Sequence, residues 1–176
     1  MWLELSFARK LRDLDRSLFR AVFRMKWSPL TVVMRWFTIA GTAGALWGVI
    51  AAGAFLTTGF QVRNLLAPWA AIALSWTLAE GTKFLFDRAR PFIYDTSIAP
   101  LTKTPSSSSF PSGHSATAAA GALALAAFYP FLIPLLVPAA LLTILSRVYL
   151  GVHYPLDVLA GSMIGLLTAA LVVLVW

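Results

Sequence analysis

The chain has 176 residues, of which 59% are hydrophobic and 12% charged, with a mean hydropathy of +0.79 and no Cys. A soluble monomer of this length cannot bury so much apolar surface. Disorder, a collagen-like repeat, a disulfide scaffold and thiolate chemistry are excluded as well. The net charge of +7 does not point to nucleic acid. The basic residues sit beside apolar stretches, with no aromatics interleaved on a soluble face. The expected surroundings are a lipid bilayer.

Residues 4–25 come first. Phe7, Leu11, Leu14, Leu18, Val22 and Met25 share one helical stripe, and Arg12, Arg16, Arg20 and Arg24 share another. This predicts an amphipathic helix with a cationic face, lying on anionic head groups or packed against a bundle. Beyond residue 36 the uncharged stretches predict five spans, near 39–59, 64–83, 112–129, 131–150 and 158–176. Tyr129-Pro130 divides the third span from the fourth. The long internal loop, 86–111, is rich in Pro and Ser. The expected fold is an all-α membrane protein of about five transmembrane helices plus an N-terminal amphipathic interfacial helix. It forms one domain over 1–176, with the helix at 4–25 and a bundle at 36–176 that carries the catalytic loop.

Charged groups at membrane spans are costly, so their positions carry information. Lys83 ends the second span, and Arg90-Pro91 opens the loop. Ser112-Gly113-His114 opens the third span, where Ser112 suits a helix cap and Gly113 admits a close ligand. Free N–H groups at that helix start suit an anion. Arg147 lies near the end of the fourth span, followed by His153, Pro155 and Asp157. The Asp157 carboxylate can orient one imidazole nitrogen of His153 and leave the other free. Each cluster also has a plain reading: a snorkelling basic flank, an ordinary cap, a helix-dipole acid. Span counting brings all three clusters, with both histidines of the chain, to one membrane face.

Lys83, Arg90 and Arg147 with backbone donors suit a phosphate and its five-coordinate transition state. One oriented histidine suits an in-line nucleophile, and the other a general acid on the leaving oxygen. The acids form no cluster of the two-metal kind, so metal-free phosphoryl transfer is expected, with no cofactor.

The pattern Lys83-x6-Arg90-Pro91, Pro111-Ser112-Gly113-His114, and Ser146-Arg147-x5-His153-x3-Asp157 resembles the three-part signature of the type 2 phosphatidic acid phosphatase (PAP2) superfamily, in its membrane lipid phosphatase branch. The resemblance implies His153 as nucleophile, forming a phosphohistidine, with Asp157 orienting it and His114 protonating the leaving group. It implies Lys83, Arg90, Ser112, Gly113 and Arg147 as the phosphate-binding residues. It also implies a lipid phosphate or diphosphate substrate, such as phosphatidic acid, phosphatidylglycerophosphate or a polyprenyl diphosphate. Soluble haloperoxidases share the signature, but this chain is too apolar to resemble them.

Two other functions fit the same residues. A phosphotransferase would pass the phosphoryl group to another acceptor, and a transporter would bind lipid phosphate without cleaving it. The family's usual six spans are not matched, since residues 4–25 stand where a first span would be. The resemblance implies a cell-membrane protein with an extracytoplasmic site. The charge count argues for a cytoplasmic one, because Arg9, Lys10, Arg12, Arg16, Arg20, Arg24, Lys26 and Arg35 stand against Arg63 alone.

Overall fold

The computed structural model describes the backbone of residues 2–176 and the side chains of residues 8–176. Among the described residues there is no strand. Helix α1 is Trp2–Arg24, α2 Ser28–Ala40, α3 Ala45–Thr57 and α4 Val62–Gly81. A short α5, Pro91–Tyr94, lies in the long loop. Helices α6 (Gly113–Phe128), α7 (Ile133–Tyr149) and α8 (Pro155–Val175) complete the bundle.

Helix α6 is the central post, contacting α3, α4, α7 and α8. Its sequence is mostly Ala, Gly, Ser and Thr, and most of its surface is buried. Small side chains let backbones approach, which is how helices associate where lipid removes the hydrophobic drive. A Cβ on Gly165 would lie 2.1 Å from the Ala116 carbonyl oxygen, and one on Gly161 2.3 Å from that of Ser112. The glycines of α8 thus seat it directly on the start of α6. That contact fixes the spacing between the second and third signature segments.

The span count of five is corrected. Pro130–Tyr149 and Pro155–Val175 are long and apolar enough to cross a membrane. Residues Ser28–Ala40 and Thr42–Thr57 make a third if that bent pair is one span. Helix α4 has 20 residues, but Arg63, Asn64 and Glu80 dilute its apolar character. Helix α6 has 16 residues, which at about 1.5 Å each fall short of a hydrocarbon core about 30 Å thick. The expected straight span at 39–59 is also corrected. The chain bends by 55° between α2 and α3. Gly44 takes φ +77 there, and a Cβ on it would meet Ile72 at 2.4 Å.

Helix α1 forms as expected, but a different stripe docks it. Asp15, Phe19 and Phe23 are buried, one turn apart, whereas Leu11, Leu14, Leu18 and Met25 are exposed. The side chain of Phe7 lies outside the described residues. Phe19 stacks on Phe23 at 5.5 Å and meets the Tyr154 ring edge-on at 5.4 Å. The exposed leucines border an apolar groove of about 790 Å³ between α1, α6, α7 and α8. Helix α1 thus packs on the bundle, one of the two sequence readings, and leaves an apolar stripe and Arg12, Arg20 and Arg24 exposed.

The bundle has two ends. At one, α1 and α2 meet the loop 86–111, with Arg16 of α1 donating to the Tyr94 hydroxyl at 2.9 Å and Arg35 of α2 to the Leu101 carbonyl at 2.6 Å. At the other, the start of α4 meets the α6–α7 turn, where Tyr129 donates to the Asn64 carbonyl at 3.3 Å.

Candidate active site

Arg90 organises the loop. Its Nε donates to the Ser107 carbonyl at 2.8 Å and its Nη2 to that of Ser108 at 3.1 Å. Its Nη1 donates to the Val152 carbonyl at 2.8 Å and lies 3.2 Å from Nε2 of His153. One guanidinium therefore ties the first signature segment to the third. Lys83, just past α4, donates to Glu80 Oε1 at 2.7 Å and to the Ser107 hydroxyl at 3.2 Å.

The second segment behaves as a helix start. Ser112 Oγ accepts from the Ser115 amide at 3.4 Å and from its hydroxyl at 2.9 Å. Its own amide donates to the Asp157 carbonyl at 3.0 Å. Ser112 is fully buried and does not line the cavity described below. Gly113 does, and a Cβ there would lie 2.6 Å from Glu80 Oε1. His114 Nε2 lies 3.1 Å from the Thr38 carbonyl oxygen. A carbonyl only accepts, so this nitrogen carries the proton.

Arg147, at the end of α7, donates from Nη1 to the Thr38 hydroxyl at 2.8 Å, while its buried Nε has no partner among the described residues. Its carbonyl accepts from the amides of Val152 and His153, both at 3.1 Å. Gly151 takes φ +83 in this tight return, where a Cβ would lie 2.8 Å from the Phe23 ring. The return delivers His153 to Arg90. Asp157, on the first turn of α8, accepts from the Tyr154 amide at 2.8 Å and from the Ser109 hydroxyl through Oδ2, and from Arg88 at 2.6 Å through Oδ1. Its Oδ2 is 3.6 Å from His153 Nδ1. At that distance no hydrogen bond forms, and His153 Nδ1 has no hydrogen-bond partner among the described residues. The carboxylate does sit in the first turn of α8, as a helix-dipole acid would.

Lys83, Arg90, Gly113, His114, Arg147 and His153 line one cavity of about 260 Å³, together with Glu80, Ser107, Trp76 and the Thr42-Ala43 bend. Ser112 and Asp157 stand behind it. Burial first, then the charges of Arg147, Arg90 and Lys83, holds the His153 pKa well below its ordinary value, against a smaller opposing pull from the Ser109 backbone. A neutral imidazole beside three cations has the chemistry that a nucleophile toward an anion needs. Among the described residues, no three His, Cys, Asp or Glu side chains converge as metal ligands would.

Several contributors escaped sequence reasoning. Thr38 holds both Arg147 and His114, Ser109 holds Asp157, and Asp15 with Arg88 forms an ion pair behind Asp157. Arg88 had a signal, being two residues before Arg90. Asp15 had a fainter one, as an acid on an otherwise basic helix.

Among curated proteins, the chain is 38% identical over 89 residues to an undecaprenyl-diphosphatase of Sulfolobus acidocaldarius, covering 50% of this chain and 43% of that protein. It is 39% identical over 122 residues to a decaprenylphosphoryl-5-phosphoribose phosphatase of Mycolicibacterium smegmatis, covering 69% of this chain and 65% of that one. The match therefore spans less than two thirds of either relative. Among solved structures, a transmembrane PAP2-type phosphatidylglycerolphosphate phosphatase from Bacillus subtilis superposes with a TM-score of 0.73 at 32% identity, covering 93% of this chain and 84% of that one. The model of the PAP2 superfamily matches residues 64–176, the stretch that supplies Lys83, Arg90, His114, Arg147 and His153 around the cavity, and the chain belongs to that superfamily.

Proposed function

We propose that this chain is an integral membrane lipid phosphatase acting on a lipid phosphomonoester or diphosphate through a phosphohistidine. The observation that carries the reading is the placement of His153 Nε2 at a cavity lined by Lys83, Arg90 and Arg147. Those cations and the Gly113 amide hold the phosphoryl oxygens. His153 Nε2 attacks phosphorus in line, forming an N–P bond as the P–O bond to the lipid breaks. His114 gives its Nε2 proton to the departing oxygen. It then takes a proton from the water that cleaves the phosphohistidine, and phosphate leaves. Asp157 orients the His153 ring, and Ser112 fixes the helix start that presents Gly113.

The lipid class rests on the relatives, whose names specify polyprenyl and glycerophospholipid phosphates. Trp76, Thr42 and Ala43 are exposed at the cavity, where α4 faces the α2–α3 bend, and Ser107 of the long loop is exposed there too. A mouth between these elements would let a head group enter while its tail stays in the bilayer.

The test is phosphate release in detergent from phosphatidic acid, phosphatidylglycerophosphate and a polyprenyl diphosphate, with excess chelator present. Release is expected, with inhibition by vanadate, which mimics the five-coordinate transition state. Activity lost to chelator and restored by magnesium would refute the metal-free mechanism. Transfer to an added acceptor lipid instead of water would make the enzyme a phosphotransferase. Lipid movement that survives His153→Ala, with no phosphate released, would make it a transporter.

A further inference from the structure

We propose that Asp15 is a positioning residue of this site, acting through Arg88 on Asp157, so that the N-terminal helix α1 is part of the phosphatase machinery as well as a membrane-surface element. The proposal rests on the phosphatase reading above. Asp15 is only 2% exposed, although Leu14 beside it is exposed. A carboxylate buried in this way is costly unless both oxygens are engaged. Both are. Oδ1 accepts from the Leu156 amide at 2.9 Å, in the first turn of α8, and Oδ2 is bound by Arg88 Nη2.

The same guanidinium holds Asp157. Arg88 Nη1 donates to Asp157 Oδ1 at 2.6 Å, and the guanidinium lies over the Tyr154 ring, 4.4 Å from its centroid. Two buried acids from helices far apart in sequence thus share one planar fork, whose geometry sets both angles at once. Anchoring Oδ1 of Asp157 leaves Oδ2 turned to the Tyr154 amide, the Ser109 hydroxyl and Nδ1 of His153. Without Asp15, the Arg88 side chain, which is 25% exposed, loses one of its two carboxylate anchors. It can then swing, and Asp157 can follow, which disturbs the ring that must attack.

The simpler role would be a cap on α8 that also glues α1 in place. Asp15→Asn separates the two, because the amide oxygen still accepts from the Leu156 amide while the charge facing Arg88 is lost. The experiment measures kcat and KM on the best lipid phosphate for wild type, Asp15→Asn, Asp157→Asn and the double variant, in detergent. Loss of a group that orients a reacting residue typically costs about tenfold or more in activity. Asp15→Asn is expected to lose that much in kcat with KM little changed, and to lose nothing further in the Asp157→Asn background. An equal loss in both backgrounds, or unchanged kcat, would overturn the proposal. Arg88→Gln keeps Asp15 on Leu156 and should reproduce the kcat loss. If Asp15→Asn does not fold, unchanged kcat in Arg88→Gln overturns the proposal equally. A wild type inactive on every lipid phosphate removes the phosphatase reading, and this proposal with it. A failure confined to the variants removes only the role of Asp15.

Discussion

The Nη1 atom of Arg90 lies 3.2 Å from Nε2 of His153, and that contact sets the state of the imidazole. Arginine has only donors, so Nε2 accepts and the ring proton sits on Nδ1, toward Asp157. On the proposed mechanism, the lone pair that would attack phosphorus is thus held beside the Arg90 guanidinium. Arg90→Lys keeps the charge but not the fork that joins the Ser107, Ser108 and Val152 carbonyls. Removing an aligned donor from a transition-state site costs roughly 10²–10³ in kcat. A fall of that order is expected, and wild-type turnover in Arg90→Lys would show that charge alone suffices.

The depressed His153 pKa has a consequence for stability. The unfolded chain takes a proton on this residue near pH 6.5, whereas the folded chain resists it because burial and three cations disfavour the charged ring. The contribution of His153 is therefore fully present above about pH 6.5 and is lost as pH falls toward the lower folded value. Melting in detergent should show the wild-type Tm falling between about pH 7.5 and about pH 5.5 more steeply than that of His153→Gln. Parallel slopes would mean that the folded site accepts the proton freely.

What the sequence made legible follows from how local each feature is. Lys83, Arg90, His114, Arg147 and His153 stand out because each is a polar group in or beside an apolar run, and spacing alone brings them to one end. The pair Asp15–Arg88 spans 73 residues and leaves no local pattern. The docking face of α1 is not legible for a different reason. The leucine stripe has the periodicity of a buried face, but the shape of the bundle decides: Gly151 opens a slot that Phe23 fills. The bend at Gly41–Gly44 and the shortness of α6 were hidden because a hydropathy count registers apolar length, not breaks in the helix.

His114 holds its proton on the Thr38 carbonyl at 3.1 Å, ready to be released to a better acceptor. A lipid alkoxide is a poor leaving group and needs that proton, whereas a nitrophenolate does not. His114→Ala should therefore depress turnover of a lipid phosphate far more than that of nitrophenyl phosphate. Equal losses on the two substrates would remove the general-acid role.

Among the described residues Glu80 is the single acid at the cavity, paired with Lys83 at 2.7 Å and 34% exposed. Its charge opposes that of any bound phosphate and ties up one of the three cations. Glu80→Gln should lower the inhibition constant of vanadate. It should also lower KM for a polyprenyl diphosphate more than for phosphatidic acid, since the second phosphate adds negative charge nearby. Weaker vanadate binding in Glu80→Gln would instead show that Glu80 is needed to hold Lys83 in position.

The last prediction concerns which side of the membrane the site faces. The contact of Arg16 with Tyr94 places α1 beside the long loop, at the cavity end, and that of Arg35 with Leu101 ties α2 to the same loop, while Gln61 precedes α4 at the opposite end. Residues 17 and 104 should therefore share one face and residue 61 the other. For the direction, the cations of residues 9–35 argue for the cytoplasm by the positive-inside rule. Their weight is less than their number suggests. Arg16 binds Tyr94, Arg35 binds a backbone carbonyl and Lys26 sits 4.0 Å from the centroid of the Phe23 ring, so all three have structural partners, as the cavity cations do. The resemblance to membrane lipid phosphatases implies the outer face, and the prediction follows it. The chain has no Cys, so Ser17→Cys, Gln61→Cys and Thr104→Cys each report without background. With a membrane-impermeant thiol reagent, positions 17 and 104 should label in intact cells and position 61 only after the membrane is opened. The reverse pattern would put the site in the cytoplasm and uphold the charge rule. Labelling of 17 and 61 from the same side would mean that the bent pair α2–α3 does not cross.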